Sequence, residues 1–192
     1  MKIPLYKSVL IISFVILMIS NITLQAQTKG KLSDNDDGKT YKTIKIKNQW
    51  WMAENLNYFI EEGSWCYQND SINCEKFGRL YNFETAMRAC PRGWHLPTKA
   101  EFEMLLENIG DSITNVYNQM VTKDSSGFSA RLGGRLNNID NFKDLNINGF
   151  YWTSTKDYLE HIWYLNLYSE NNNAFFYFTK EDVGFSVRCI KN

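Results

Sequence analysis

Ala89-Cys90-Pro91-Arg92-Gly93-Trp94-His95-Leu96-Pro97-Thr98-Lys99-Ala100-Glu101-Phe102 is the stretch that decides the fold, because it ends one helix, begins another and carries a cysteine between them. Before it, Asn82 can cap a helix from Phe83 to Cys90 whose apolar face is Phe83, Ala86, Met87 and Cys90, and Pro91 stops that helix for want of an amide hydrogen. After it, Thr98 and Glu101 form a T-x-x-E capping box in which each side chain satisfies a free backbone N–H. Phe102, Leu105, Leu106 and Ile109 then follow at helical spacing, and Gly110 is expected to close the helix in the left-handed conformation.

Outward from these two helices the chain reads as strands. Tyr41, Thr43, Ile44 and Ile46 alternate, Lys47-Asn48-Gln49 turns the chain, and Trp50 to Ala53 form a second short strand. Asn55 to Asn73 reads as irregular. Residues 111–149 are rich in Asn, Asp, Gly and Ser and read as loop, with Phe128 to Leu136 extended. Phe150 to Ser154, Ile162 to Tyr168, Ala174 to Thr179 and Phe185 to Ile190 are β-branched or aromatic runs divided by polar turns, the pattern of an antiparallel meander. Two helices followed by a strand-rich half predict an α+β domain with antiparallel sheets and long loops.

The four cysteines are Cys66, Cys74, Cys90 and Cys189. None is spaced as C-x-x-C, so a zinc ribbon or thioredoxin-like site has no support. Four thiols in an oxidising compartment make two disulfides with three connectivities open. Strand alternation puts Phe185, Val187 and Cys189 on one face, and Cys90 lies on the apolar face of its helix. Both thiols then point into one core, which favours Cys90–Cys189 and leaves Cys66–Cys74 as a local clip.

The compartment is read from the start of the chain. Two lysines before residue 8, an apolar run from Ser8 to Ile19 and Leu24-Gln25-Ala26-Gln27 describe a secretory signal peptide over residues 1–26, cleaved after Ala26. The run is shorter than the roughly 20 apolar residues a membrane span needs, so no transmembrane segment is expected after cleavage. The protein is expected to be exported: secreted, periplasmic or at the cell surface. The signal removes two lysines and no acid from 21 basic and 21 acidic residues, leaving a slightly acidic chain with no basic run. That excludes a polyanion-binding surface, and nucleic acid with it. Residues 27–40 read as a polar tail or linker before a domain spanning 41–192. Asp34-Asn35-Asp36-Asp37-Gly38 has the look of a calcium loop, but an EF-hand wants glycine at position six and glutamate at twelve, where Lys39 and Lys45 stand. A turn is expected there.

Asp37-Gly38-Lys39-Thr40-Tyr41-Lys42-Thr43 with Gln49-Trp50-Trp51-Met52-Ala53-Glu54-Asn55-Leu56 closely resembles the opening of the Fibrobacter succinogenes major paralogous domain. Gly78-Arg79-Leu80-Tyr81-Asn82, Ala89-Cys90-Pro91-Arg92-Gly93-Trp94-His95-Leu96-Pro97-Thr98, Tyr151-Trp152-Thr153-Ser154-Thr155 and Gly184-Phe185-Ser186-Val187-Arg188-Cys189 match its later landmarks. The resemblance runs from about residue 37 to the end and implies an exported bacterial module without an assigned biochemical role. More remotely, Ala89-Cys90, His95-Leu96-Pro97-Thr98 and the late Cys189 are similar to the C-type lectin fold. The calcium site of those lectins is not implied, because it uses a proline-bearing tripeptide, and this chain has no proline after Pro97.

The residues themselves favour binding over catalysis. His95 and His161 are the only histidines. His95, at a helix start, suits a structural hydrogen bond, and His161 after a polar loop is expected to be exposed. No G-x-S-x-G surrounds a serine. No catalytic residue, metal ligand or cofactor is therefore expected. Fifteen per cent of the chain is aromatic, enough to fill a core and leave rings over. Trp50, Trp94 and Trp163 are expected in the core, whereas Trp65, Tyr67, Tyr151 and Tyr158, in or beside loops, are the candidates for an exposed contact surface. The expected partner is a glycan or a protein, met between Asp111 and Tyr158. The rival readings are an enzyme with a carboxylate or metal site, similar in fold to the formylglycine-generating enzymes, and a structural surface protein.

Overall fold

The structure, a computed structural model, describes residues 27–110, 116–122, 124–138, 141–180 and 183–192; the expected signal peptide lies outside them. Two sheets carry the domain. One has strand order β1-β2-β3-β13-β6, built from β1 (Thr28–Ser33), β2 (Thr40–Ile46), β3 (Gln49–Met52), β6 (Trp94–His95) and β13 (Ile190–Lys191). The other runs β11-β10-β9-β12-β5-β4, from β4 (Ser64–Trp65), β5 (Leu80–Tyr81), β9 (Asn148–Lys156), β10 (Ile162–Tyr168), β11 (Asn173–Thr179) and β12 (Phe185–Ser186). A hairpin of β7 (Gly133–Leu136) and β8 (Phe142–Leu145) joins this sheet where Gly134 pairs in parallel with Gly149. At Gly134 the backbone has φ +64°, and a Cβ would collide with the Lys143 carbonyl, so only glycine lets the hairpin close against β9.

Helices α1 (Ser71–Phe77), α2 (Phe83–Ala89) and α3 (Lys99–Ile109) pack on these sheets. Asn82 caps α2 by accepting from the Thr85 amide at 2.8 Å. The expected box opens α3, with the Glu101 carboxylate taking the Thr98 amide at 2.7 Å and the Thr98 hydroxyl taking the Glu101 amide at 3.2 Å. Its end differs from expectation. Gly110 is extended at φ −153°, although its N–H still donates to the Leu106 carbonyl at 3.1 Å. Met87, expected on the buried face of α2, is exposed.

Both disulfides form as the sequence suggested, Cys66–Cys74 and Cys90–Cys189. Three elements do not follow expectation so simply. Residues 28–33 are not a tail but pair with β2 from Thr28 opposite Lys45 to Ser33 opposite Thr40. Only Leu32 of that strand is buried, so backbone pairing rather than a hydrophobic face holds it, and no alternation could announce it. Asp34 to Gly38, beside it, is the expected turn, closed by the Asp34 amide on the Lys39 carbonyl at 2.8 Å. The stretch read as irregular from Asn55 to Asn73 runs into α1, which starts at Ser71. The third difference is the last run. The meander stops at β11; residues 184–190 pass between β5 and β9, where Ser186 pairs in parallel with Tyr151, and then cross into the first sheet beside Trp51.

Two main clusters make the core, and β3 and β9 feed both. Trp51 and Tyr151 enter one with Ile44, Phe102, Leu105 and Leu165; Met52 and Trp152 enter the other with Tyr81, Phe83, Phe185 and Val187. Alternate side chains point to opposite faces, so these strands are buried on both sides. The expected core tryptophans Trp50, Trp94 and Trp163 are instead half-buried, and Trp51 and Trp152 take their place. Trp50 lies over β1, where a Cβ at Gly30 would come 3.0 Å from its ring.

Candidate functional site

The structure does not gather the four aromatic residues singled out from the sequence. Tyr158 is 92% exposed at the turn between β9 and β10. Trp65 is half-buried against a small third cluster, and Tyr67 lies inside that cluster with its ring 5.2 Å from Phe142. Tyr67 is therefore packing, not surface. Tyr151 is wholly buried, and its hydroxyl donates to the Arg131 carbonyl at 2.6 Å while accepting the Arg131 amide at 2.9 Å. A phenol with both hydrogen-bonding roles filled by backbone is a structural strut. Burial pushes its pKa up.

Cross-strand register brings a different set of rings together. Tyr164 stands opposite Trp152 on one side and Tyr177 on the other, so all three share one face of the β9–β10–β11 ribbon. On this face the centroids run Phe150 to Tyr164 at 6.1 Å, Tyr164 to Tyr177 at 6.1 Å and Tyr177 to Phe175 at 6.2 Å. Cover thins from β9 towards β11: Phe150 is buried, Tyr164 and Phe175 half-buried, and Tyr177 49% exposed. Arg135, next to Gly134 on β7, lies over the Phe150 ring at 4.9 Å and pairs with Asp144 at 2.9 Å. Burial pushes the Tyr164 phenol up in pKa against the opposing pull of Arg135. The result is a row of rings with a paired guanidinium and carboxylate at its covered end.

A signal for this row exists in the sequence. Phe175-Phe176-Tyr177-Phe178 places rings on both faces of one strand, more than a single buried face can take up. Arg188 escapes a reading by alternation. It is fully buried; Nε donates to Asn55 Oδ1 at 2.9 Å, Nη1 to the Met52 carbonyl at 3.0 Å and to the Phe128 carbonyl, and Nη2 to the Ser129 carbonyl at 2.7 Å. Its guanidinium lies 4.4 Å over the Phe128 ring. Desolvation pushes its pKa down to about 10, so it keeps its charge at neutral pH. Alternation puts Arg188 opposite Val187 and Cys189 and hence towards solvent, but this segment crosses between two sheets and is covered on both sides.

The histidines sit in pairs. His95 bonds Asn192 Oδ1 through Nδ1 at 2.7 Å and Glu101 Oε1 through Nε2 at 3.0 Å, the structural role expected of it. His161, expected to be exposed, is half-buried, stacked on Phe178 at 5.0 Å and bonded to Asp157 at 3.0 Å. Glu54 and Glu75 line a cavity of about 260 Å³ together with Lys39, Lys76 and Arg131. Glu54 is already held by the Lys42 amide at 2.8 Å and the Lys42 ammonium at 3.3 Å.

A family model, the Fibrobacter succinogenes major domain, matches residues 44–191. The chain belongs to that family. The matched span takes in the Trp51 strand, the α3 capping box and the crossing segment with Arg188 and Cys189. No curated protein and no solved structure matches the chain. Among the described residues, no helix is long and apolar enough to cross a membrane, and the two disulfides are compatible with an exported protein. What the family supports for function is a surface module.

Proposed function

We propose that this domain is an exported, non-catalytic binding module that holds a glycan against Tyr164, Tyr177 and Phe175, the open end of the aromatic row. The observation that carries the reading is the uncovering of that row towards β11, with the Arg135–Asp144 pair at its covered end. Rings offer an apolar platform to the C–H face of a sugar, while a charged pair supplies donors and acceptors to its hydroxyls. The frame supports the reading too, since strands rather than loops carry the contact residues and fix their spacing. The disulfide from the end of α2 to the crossing segment suits a C-type-lectin-like architecture, reached without the calcium site of those lectins.

A glycan array followed by titration calorimetry tests this. The wild-type protein is expected to retain an oligosaccharide, and Tyr177→Ala and Arg135→Ala are each expected to weaken binding about tenfold or more, the loss of roughly 1.4 kcal/mol of contact. Retention of no glycan, or binding by both variants as by wild type, would sink the reading.

A further inference from the structure

Among the described residues, the outer strands other than β11 are each protected against joining another chain. β1 carries Lys29 and Lys31, β8 carries Lys143 and Asp144, and β4 and β6 are two residues long. Lysines, charges and brevity are the usual means of blunting a sheet edge. β11 has none of them. It is seven residues long, ends the larger sheet, and from Ala174 to Thr179 has neither a charge nor a proline. Tyr177 and Phe178 are 49% and 54% exposed, on opposite faces of the strand. Phe178 stacks on His161, and Lys99 lies 5.0 Å over Phe176, so the second face is aromatic as well.

We propose that β11 pairs edge to edge with β11 of a second copy of this chain, antiparallel about Phe176. The strand is self-complementary in that register. Phe175 falls opposite Tyr177 of the second copy, continuing the aromatic row, and Ala174 falls opposite Phe178, small against large. Directly opposed aromatic pairs of this kind favour association. Antiparallel ladders are also slightly more stable per residue than parallel ones. A two-fold contact of this form is closed, so it stops at a dimer. The proposal stands whatever the aromatic row binds.

Sedimentation velocity over a wide concentration series, with hydrogen exchange on the same samples, tests it on the protein with both disulfides formed. Wild type is expected to shift from monomer to dimer, with amides 174–178 gaining protection as it does. Tyr177→Lys with Phe178→Lys is expected to stay monomeric, because the two ammonium groups introduced at position 177 would lie diagonally across the two-fold. Its near-ultraviolet circular dichroism should remain that of a folded domain. A wild type that stays monomeric throughout overturns the proposal. So does a dimer that protects β1 instead of β11, or one that survives the double lysine variant.

Discussion

Arg188 holds distant parts of the molecule in register with one side chain. It ties β3 through Met52, the following turn through Asn55, and a distant loop through Phe128 and Ser129. Replacing it with methionine relieves a buried charge but leaves three carbonyls and an amide oxygen without their donor. Each orphaned group costs on the order of 1–3 kcal/mol, so Arg188→Met should lower unfolding free energy by about 3 kcal/mol or more in urea titration. Arg188→Lys, with a point charge in place of the fork, should lose less but still a clear fraction. An unchanged midpoint in both would show that those carbonyls find other partners. Asp34 argues in the opposite sense. Burial, with Asp37 and Asp36 close by, raises its carboxyl above the ordinary 3.8. The folded chain therefore holds that proton to higher pH than the unfolded chain does, and stability is lost as pH rises through the interval between the two values. Asp34→Asn keeps the acceptor for the Asp36 amide and should raise the melting temperature at neutral pH. The gain should disappear in acid, where Asp34 is itself protonated; a gain that persists in acid would assign it to another cause.

At the level of elements, the two disulfides are unequal. Cys66–Cys74 spans 8 positions and fastens a turn to α1, whereas Cys90–Cys189 spans 99 and fastens the end of α2 to the crossing segment. In the chain-entropy account a loop of nine residues contributes about 2.6 kcal/mol and one of a hundred about 4.7 kcal/mol. Cys90→Ser with Cys189→Ser should therefore destabilise the domain more than Cys66→Ser with Cys74→Ser, by about 2 kcal/mol in denaturant titration. Equal losses would mean that the larger loop is already constrained in the unfolded chain. The elements also show what a sequence can tell. The two expected helices and their N-terminal caps are legible because capping is local: Asn82, Thr98 and Glu101 act within one turn. The early strands and the three meander strands are legible from alternation. α1 is not, because Ser71–Phe77 is a seven-residue helix sharing its stretch with a disulfide and showing no clear apolar period. β1 is not, because polar residues fill it.

For the whole molecule, legibility fails where distant segments decide burial. Tyr151 has the surroundings of a loop residue because Asn and Gly precede it, yet β10, β12 and β7 surround its strand. The aromatic row is equally hidden, since its members come from β9, β10 and β11 and meet only through register. Residues 184–190 are the extreme case, paired with strands as early as position 51 and as late as position 151. Such long-range pairing makes for slow folding. A growing chain that has reached Val183 can form its helices and its hairpins, but neither sheet can be finished and Cys90 has no mate. The nascent polypeptide thus stays uncommitted until its closing segment arrives, and the native shape is reached only when synthesis is all but finished.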